Sequence, residues 1–360
     1  DLQPGRQEIE LTDAPLFLMS DVAAAQMKSA LENGKLSLSL INSEARLTDM
    51  KTMSIFIHNK TSRGLKAHVV ATAPASADWV IPTQDADIPP GETISIPFRL
   101  KQENLIRFAD EKFAASIEVE GRRMAVDKEI MLLPIHRMSG EMKIDGNLDK
   151  YRMFQPITLN TPANLFPSGE GLDLLSQGAW SGPEDLSMKV WVAYDEKCFY
   201  FAAEVMDDVF IQEHSGQDIW RGDGFQLAFT TQRSALLPVI HDIGYGPDDY
   251  EYGIALTKAG AQSYCWTTAE VNKHLRGPTP GIERAVVKAG EHVWHYELAI
   301  PWEYLKPLRP EPGRMFGFNF SYIDIDRPGG EVEYWMGLTD GIVGSKNPLL
   351  FKTFYLEEKQ

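Results

Sequence analysis

The residues with the clearest chemistry stand in one short stretch, Gln217-Asp218-Ile219-Trp220-Arg221-Gly222-Asp223. A large aromatic among polar residues and glycines is a candidate for an exposed ring. An indole offers an apolar plane with an electron-rich surface, suited to a flat ligand with C–H faces. Around such a plane, Arg221, Asp223 and Gln226 supply guanidinium, carboxylate and amide groups for the ligand's polar edge. The alternative use of the same indole is to fold back and anchor its own loop.

Carboxylates offer a second chemistry. Asp324 and Asp326 in Tyr322-Ile323-Asp324-Ile325-Asp326 share one strand face. Two carboxylates so placed suit calcium, hydrogen bonds to ligand hydroxyls, a solvated face, or a catalytic pair flanking a scissile bond across ~5 to 9.5 Å. Asp207 and Asp208 follow a strand-like run, and hard carboxylates on irregular backbone suit calcium.

Other chemistries find little support. His292 and His295 bracket Trp294 in a strand and face opposite ways, so zinc is not expected. No nucleophile elbow, phosphate loop or dinucleotide fingerprint is present. Cys198 and Cys265 lack redox or metal spacing and read as two buried thiols rather than a disulfide. Asn59-Lys60-Thr61 fits a glycosylation acceptor, and Arg221-Gly222-Asp223 spells an adhesion tripeptide by coincidence. A formal net charge of −16 argues against nucleic acid and anionic lipid surfaces as partners. No apolar run approaches the ~18 residues of a membrane span, so membrane insertion is not expected.

Strands must position these groups. In the first part, Glu8–Leu11, Lys35–Ile41, Met53–His58, Ala67–Ala73 and Thr93–Leu100 alternate apolar and polar residues with period two. Ala114–Glu120 and Met124–Leu133 read as a hairpin closed at Gly121-Arg122. Short strands at this spacing point to an immunoglobulin-like β-sandwich over residues 1–137, with one amphipathic helix at Asp21–Asn33. Pro134 to Gly140 breaks the pattern and marks the expected boundary. A second β-rich domain follows over 141–358. Its strands are Lys189–Tyr194, Cys198–Val205, Gly224–Thr230, Tyr252–Leu256, Glu283–Lys288, Val293–Ile300, Met315–Asp324 and Thr353–Leu356. The fold class is therefore all-β, with two β-sandwich domains.

Four signals of the second domain occur in order. They are Ile144-Asp145-Gly146-Asn147-Leu148-Asp149 with Tyr151; the hairpin Val190–Val205 running into Met206-Asp207-Asp208; Asp218 to Asp223 leading into Gly224–Phe229; and Glu297 to Trp302 followed by Gly317-Phe318-Asn319-Phe320. In these the chain resembles the family 9 carbohydrate-binding modules. The resemblance implies a jelly-roll sandwich that binds an oligo- or polysaccharide outside the cytoplasm, within a larger carbohydrate-active protein. It further implies a structural calcium near Asp207 and a sugar stacked on Trp220. Members of that family close a sugar between two tryptophans, the second in the loop before the last strand. Here that loop, residues 341–348, contains none, and Gln226 stands where members carry an acidic residue. An open platform or loss of sugar binding are the alternatives to a closed pocket. A glycoside hydrolase and a haem-binding relative of the same sandwich remain competing functions, the latter through Met or His.

Overall fold

The computed structural model describes residues 36–41, 52–72, 79–80, 83–100, 111–119, 122–130, 132–167, 180–231, 244–330, 332, 334–343 and 346–357. The expected strand at Glu8–Leu11 and helix at Asp21–Asn33 lie outside the described residues. The chain divides into two compact units at Leu132/Leu133.

Among the described residues, the first unit holds eight strands: β1 (Leu36–Ile41), β2 (Thr52–Asn59), β3 (Leu65–Thr72), β4 (Trp79–Val80), β5 (Thr83–Ile88), β6 (Thr93–Leu100), β7 (Glu111–Val119) and β8 (Arg122–Ile130). They form two four-stranded antiparallel sheets, ordered β1-β2-β6-β4 and β5-β3-β7-β8. Alternation sends Ile55, Ile57 and Ile96 inward from one sheet and Val69, Ala71, Ile117 and Val119 from the other. The acceptor motif at Asn59 is used otherwise. Its side chain is buried, and its amide donates to the carbonyls of Arg63, Ile88 and Pro89 at 2.8, 3.0 and 3.1 Å. That nitrogen holds a turn together and is closed to a glycan.

The second unit continues with β9 (Leu132–Arg137), β10 (Ile157–Leu159), β11 (Leu165–Pro167), β12 (Leu186–Tyr194), β13 (Cys198–Asp207), β14 (Gly224–Thr230), β15 (Asp249–Thr257) and β16 (Gly260–Thr267). After these come β17 (Gly277–Pro278), β18 (Glu283–Lys288), β19 (Val293–Pro301), β20 (Met315–Ile323), β21 (Tyr334–Gly337) and β22 (Lys352–Leu356). One ladder runs β17-β16-β15-β14-β20-β22-β9-β12-β13-β19-β18 and curls into two facing halves. The compact units divide at Leu132/Leu133, a few residues before the boundary expected after residue 137. Ile135 enters the second unit's core, and His136 and Arg137 pair in parallel with Ala193 and Tyr194. What reads in sequence as a break in the first sandwich is a strand of the second.

Aromatic rings fill the space between the halves. Phe201 and Phe199 on β13 meet Phe225 and Phe229 on β14 edge to face, with centroids 5.0 and 5.2 Å apart. Cys198 is half-buried, Cys265 is buried, and both are free thiols. The Ile144-Asp145-Gly146 turn lies outside this core and is fastened to β19 through one buried carboxylate. Glu297 accepts from the backbone of Asp145 and Gly146 at 3.0 and 2.9 Å, from the Tyr151 hydroxyl at 2.9 Å, and from Lys150 Nζ at 2.7 Å. Gly146 sits at φ +81°, and a Cβ there would come within 2.6 Å of Val287. Both facts explain that motif as structural.

Candidate functional site

Alternation along β14 decides which residues face out. Phe225, Leu227 and Phe229 enter the core, so Gln226 and Ala228 point to the other face, where both are nonetheless buried and Ala228 packs against Ile342 and Phe351. Gln226 pairs across the sheet with Ser321 on one side and Gly253 on the other. The Ser321 hydroxyl is buried with no hydrogen-bond partner among the described residues.

Trp220 sits in the 3₁₀ turn Gly216–Arg221 that precedes β14, against β14, β15 and β16. It is 41% exposed, and among the described residues it is the one aromatic among the large exposed hydrophobics. The sequence expectation of an exposed ring is met. Arg221 is exposed as well, with its guanidinium 6.0 Å from the indole centroid. The turn is fixed from below: Gln212 Nε2 donates to the carbonyls of Ile219 and Asp223, both at 3.0 Å.

Asp223 lies elsewhere than at the rim of that ring. It is fully buried, with Oδ1 accepting from the Ile325 amide at 2.8 Å and Oδ2 from the Ile211 amide. Three chain segments meet on this one carboxylate. Burial of Gly222 and Asp223 also removes the adhesion tripeptide from the surface.

The buried Asp223 joins a cluster. One carboxylate oxygen from each of Asp207, Asp223 and Asp324 lies within 4.8 Å of the others, and Asp185, Asp324 and Asp326 form an adjoining group at the same spacing. Asp207 accepts from the Tyr322 hydroxyl at 2.8 Å through Oδ2, and Asp324 accepts from the Tyr334 hydroxyl. Asp207 is 1% exposed, and its Oδ1 has no hydrogen-bond partner among the described residues. Burial pushes the Asp207 carboxyl up to about 6, with the charges of Asp326 and Asp208 adding to it. Burial and the charge of Asp207 likewise raise Asp223 and Asp324 well above the usual carboxylate range. Such a group must hold protons or a cation.

Of the residues expected to bind calcium, Asp207 is central, whereas Asp208 is exposed beside the cluster. Of the pair expected to contact ligand, Asp324 is buried with the metal-type group and Asp326 is exposed at its edge. Asp185 is absent from the sequence-based set. It stands in the turn Pro183-Glu184-Asp185, which carries no recognisable ligand spacing. Residues of β16 are absent too: Tyr264 and Trp266 face out beside the Trp220 turn, both half-buried.

The sequence pattern of the family described as "Carbohydrate family 9 binding domain-like" matches residues 170–359. Among solved structures, the chain is similar to a carbohydrate binding module family 9 from Caldicellulosiruptor kristjanssonii in complex with cellotriose. The identity is 16%, over 63% of this chain and 95% of that one, with a TM-score of 0.44. It is also similar to a putative carbohydrate-binding protein from Bacteroides uniformis, at 14% identity over 62% of this chain and 98% of that one, with a TM-score of 0.39. No curated protein matches the chain. With more than half its length matched by the family pattern, the chain belongs to the carbohydrate family 9 binding domain-like family.

Proposed function

We propose that the second unit binds an oligo- or polysaccharide without cleaving it, with Trp220 as the stacking platform. The observation that carries this reading is an exposed indole on a turn held from below by Gln212 and Asp223. A ring already fixed in place loses little entropy when a sugar face settles on it. Arg221 at the rim, exposed beside the indole, supplies donors for hydroxyls. The first unit then serves as an immunoglobulin-like spacer, and the chain works outside the cytoplasm as part of a larger carbohydrate-active protein. A glycan array on the intact chain tests the reading, together with a reducing-sugar assay on every glycan retained. Retention without release of reducing ends is expected. No retained glycan, or one that is hydrolysed, would overturn it.

A calcium ion belongs to the same reading. The residues present fit a hard cation: three buried carboxylates converge, and Asp207 Oδ1 has no hydrogen-bond partner among the described residues. Asp207, Asp223 and Asp324 would hold the ion, and its positive charge would offset their mutual repulsion. It would supply rigidity to the turn that Asp223 anchors. Elemental analysis of the purified protein and calcium titration after chelation test this.

A further inference from the structure

We propose that the glycan surface continues from Trp220 onto Trp266 and Tyr264, and that it takes the interior of a linear chain instead of a chain end. The inference rests on the carbohydrate reading of Trp220 and names the ligand's class.

Strand β16 sends Ser263 and Cys265 into the core and turns Tyr264 and Trp266 outward. Their rings are half-buried, tilted by 47°, with centroids 5.9 Å apart. Trp266 is joined to the platform turn itself. Its Nε1 donates to the Gln217 carbonyl at 2.8 Å, three residues before Trp220. The far end of its indole lies over Gly253, where a Cβ would come within 2.2 Å of the ring and 3.2 Å of Ile219. The glycine at position 253 is thus what lets the ring reach the turn. On the same strand face, Gln262 accepts from the Gly216 amide at 3.0 Å. Residues of β16 therefore fasten the turn at Gly216 and at Gln217, so the three rings share one rigid frame.

The loop before β22 offers no ring of its own to face Trp220. It contains no aromatic residue between Asp340 and Leu350. Its Ile342 and Val343 are buried, and Lys346 pairs with the buried Glu251 at 2.6 Å. A sugar enclosed on both faces needs two facing rings. Rings side by side instead offer one face to each of several consecutive units, and contacts accumulate with chain length.

The test uses the intact chain and oligosaccharides of one to six units from cellulose, xylan and mannan, each native and with its reducing end converted by borohydride. Affinity should rise at least tenfold from disaccharide to hexasaccharide and be unchanged by borohydride. Tyr264→Ala should lower hexasaccharide affinity several-fold and leave disaccharide affinity in place, whereas Tyr264→Phe, which keeps the ring, should bind like the parent. Equal affinity for all lengths, or loss of binding on borohydride treatment, overturns the strip while leaving Trp220 as the platform. If no glycan of any length or on an array binds, the carbohydrate reading fails and the strip with it.

Discussion

Two of the buried carboxylate sites in the second unit are treated in opposite ways. Glu297 is fully enclosed and meets four donors, including the ammonium of Lys150. The cluster of Asp207, Asp223 and Asp324 is equally enclosed, yet no Lys or Arg pairs with these carboxylates among the described residues, and one oxygen is orphaned. A buried charge is tolerated when paired and hydrogen-bonded and is costly otherwise. Glu297 therefore reads as architecture, complete within the chain. The aspartate cluster has no such partner among the described residues, and its charge must be met by protons or by a cation.

Glu297→Ala gives the largest expected effect, because it breaks the complete site. It strips the backbone amides of Asp145 and Gly146 and the Tyr151 hydroxyl of their acceptor and leaves Lys150 without its partner. A loss of about 3 to 5 kcal/mol is expected in chemical denaturation, as for other buried pairs from which one partner is removed. A loss below 1 kcal/mol would place Glu297 on the same footing as a surface ion pair and erase the contrast.

The aspartate cluster should respond in the other direction, to solution conditions. Calcium at about a hundred times its dissociation constant raises stability by about 2.7 kcal/mol, read as a higher melting temperature than in chelator. Without the ion, pH takes over. The Asp207 carboxyl rises from an ordinary 3.8 to about 6 on folding, so the folded chain binds more protons than the unfolded one between those values. Its contribution to stability is thus greatest near pH 4 and is lost as pH climbs through 6. Chelated protein should melt higher at pH 5 than at pH 7, and Asp207→Asn should flatten that difference and abolish the response to calcium. Parent and variant curves that superimpose under all four conditions would dissolve the idea of an unfilled site.

Much of this arrangement is legible in the sequence wherever alternation is strong. The bounds of β14 and β18 match the period-two pattern, since Phe225, Leu227 and Phe229 alternate without interruption. Strand β16 hides because it opens on Gly260-Ala261-Gln262-Ser263, residues too small or polar to mark a face. Its two outward aromatics flank a buried cysteine, and the Lys258-Ala259-Gly260 turn is the signal that would have exposed it. The aspartate cluster is partly legible through Asp207 and Asp324. Its full membership depends on four separate segments meeting, and nothing in local spacing reports that meeting. The direction of Asp223 is illegible for the same reason, because its partners are the amides of Ile211 and Ile325, one before and one far beyond it. Asn59 carries a motif that packing overrides.

The smallest effect on stability, and the sharpest on function, is expected at Trp220. Trp302 gives the contrast within the same unit. It is buried, donates Nε1 to the Asp195 carbonyl at 2.9 Å, and packs edge to face on Tyr194 and Phe199. Trp302→Ala opens a cavity and should cost about 3 to 5 kcal/mol. Trp220→Ala removes an exposed ring whose turn is held by Gln212, Gln262 and Trp266, so stability should stay within about 0.5 kcal/mol of the parent. Aromatic stacking in nucleic-acid proteins is worth ~1 to 3 kcal/mol per ring. A sugar face lacks a π system and takes the lower part of that range, so glycan affinity should fall roughly tenfold. Thermal melts and glycan affinity measured side by side decide the matter. If Trp220→Ala melts several degrees lower and binding falls only in proportion to unfolding, the indole anchors its loop. If it melts like the parent and binding is lost, the indole is the surface on which the ligand rests.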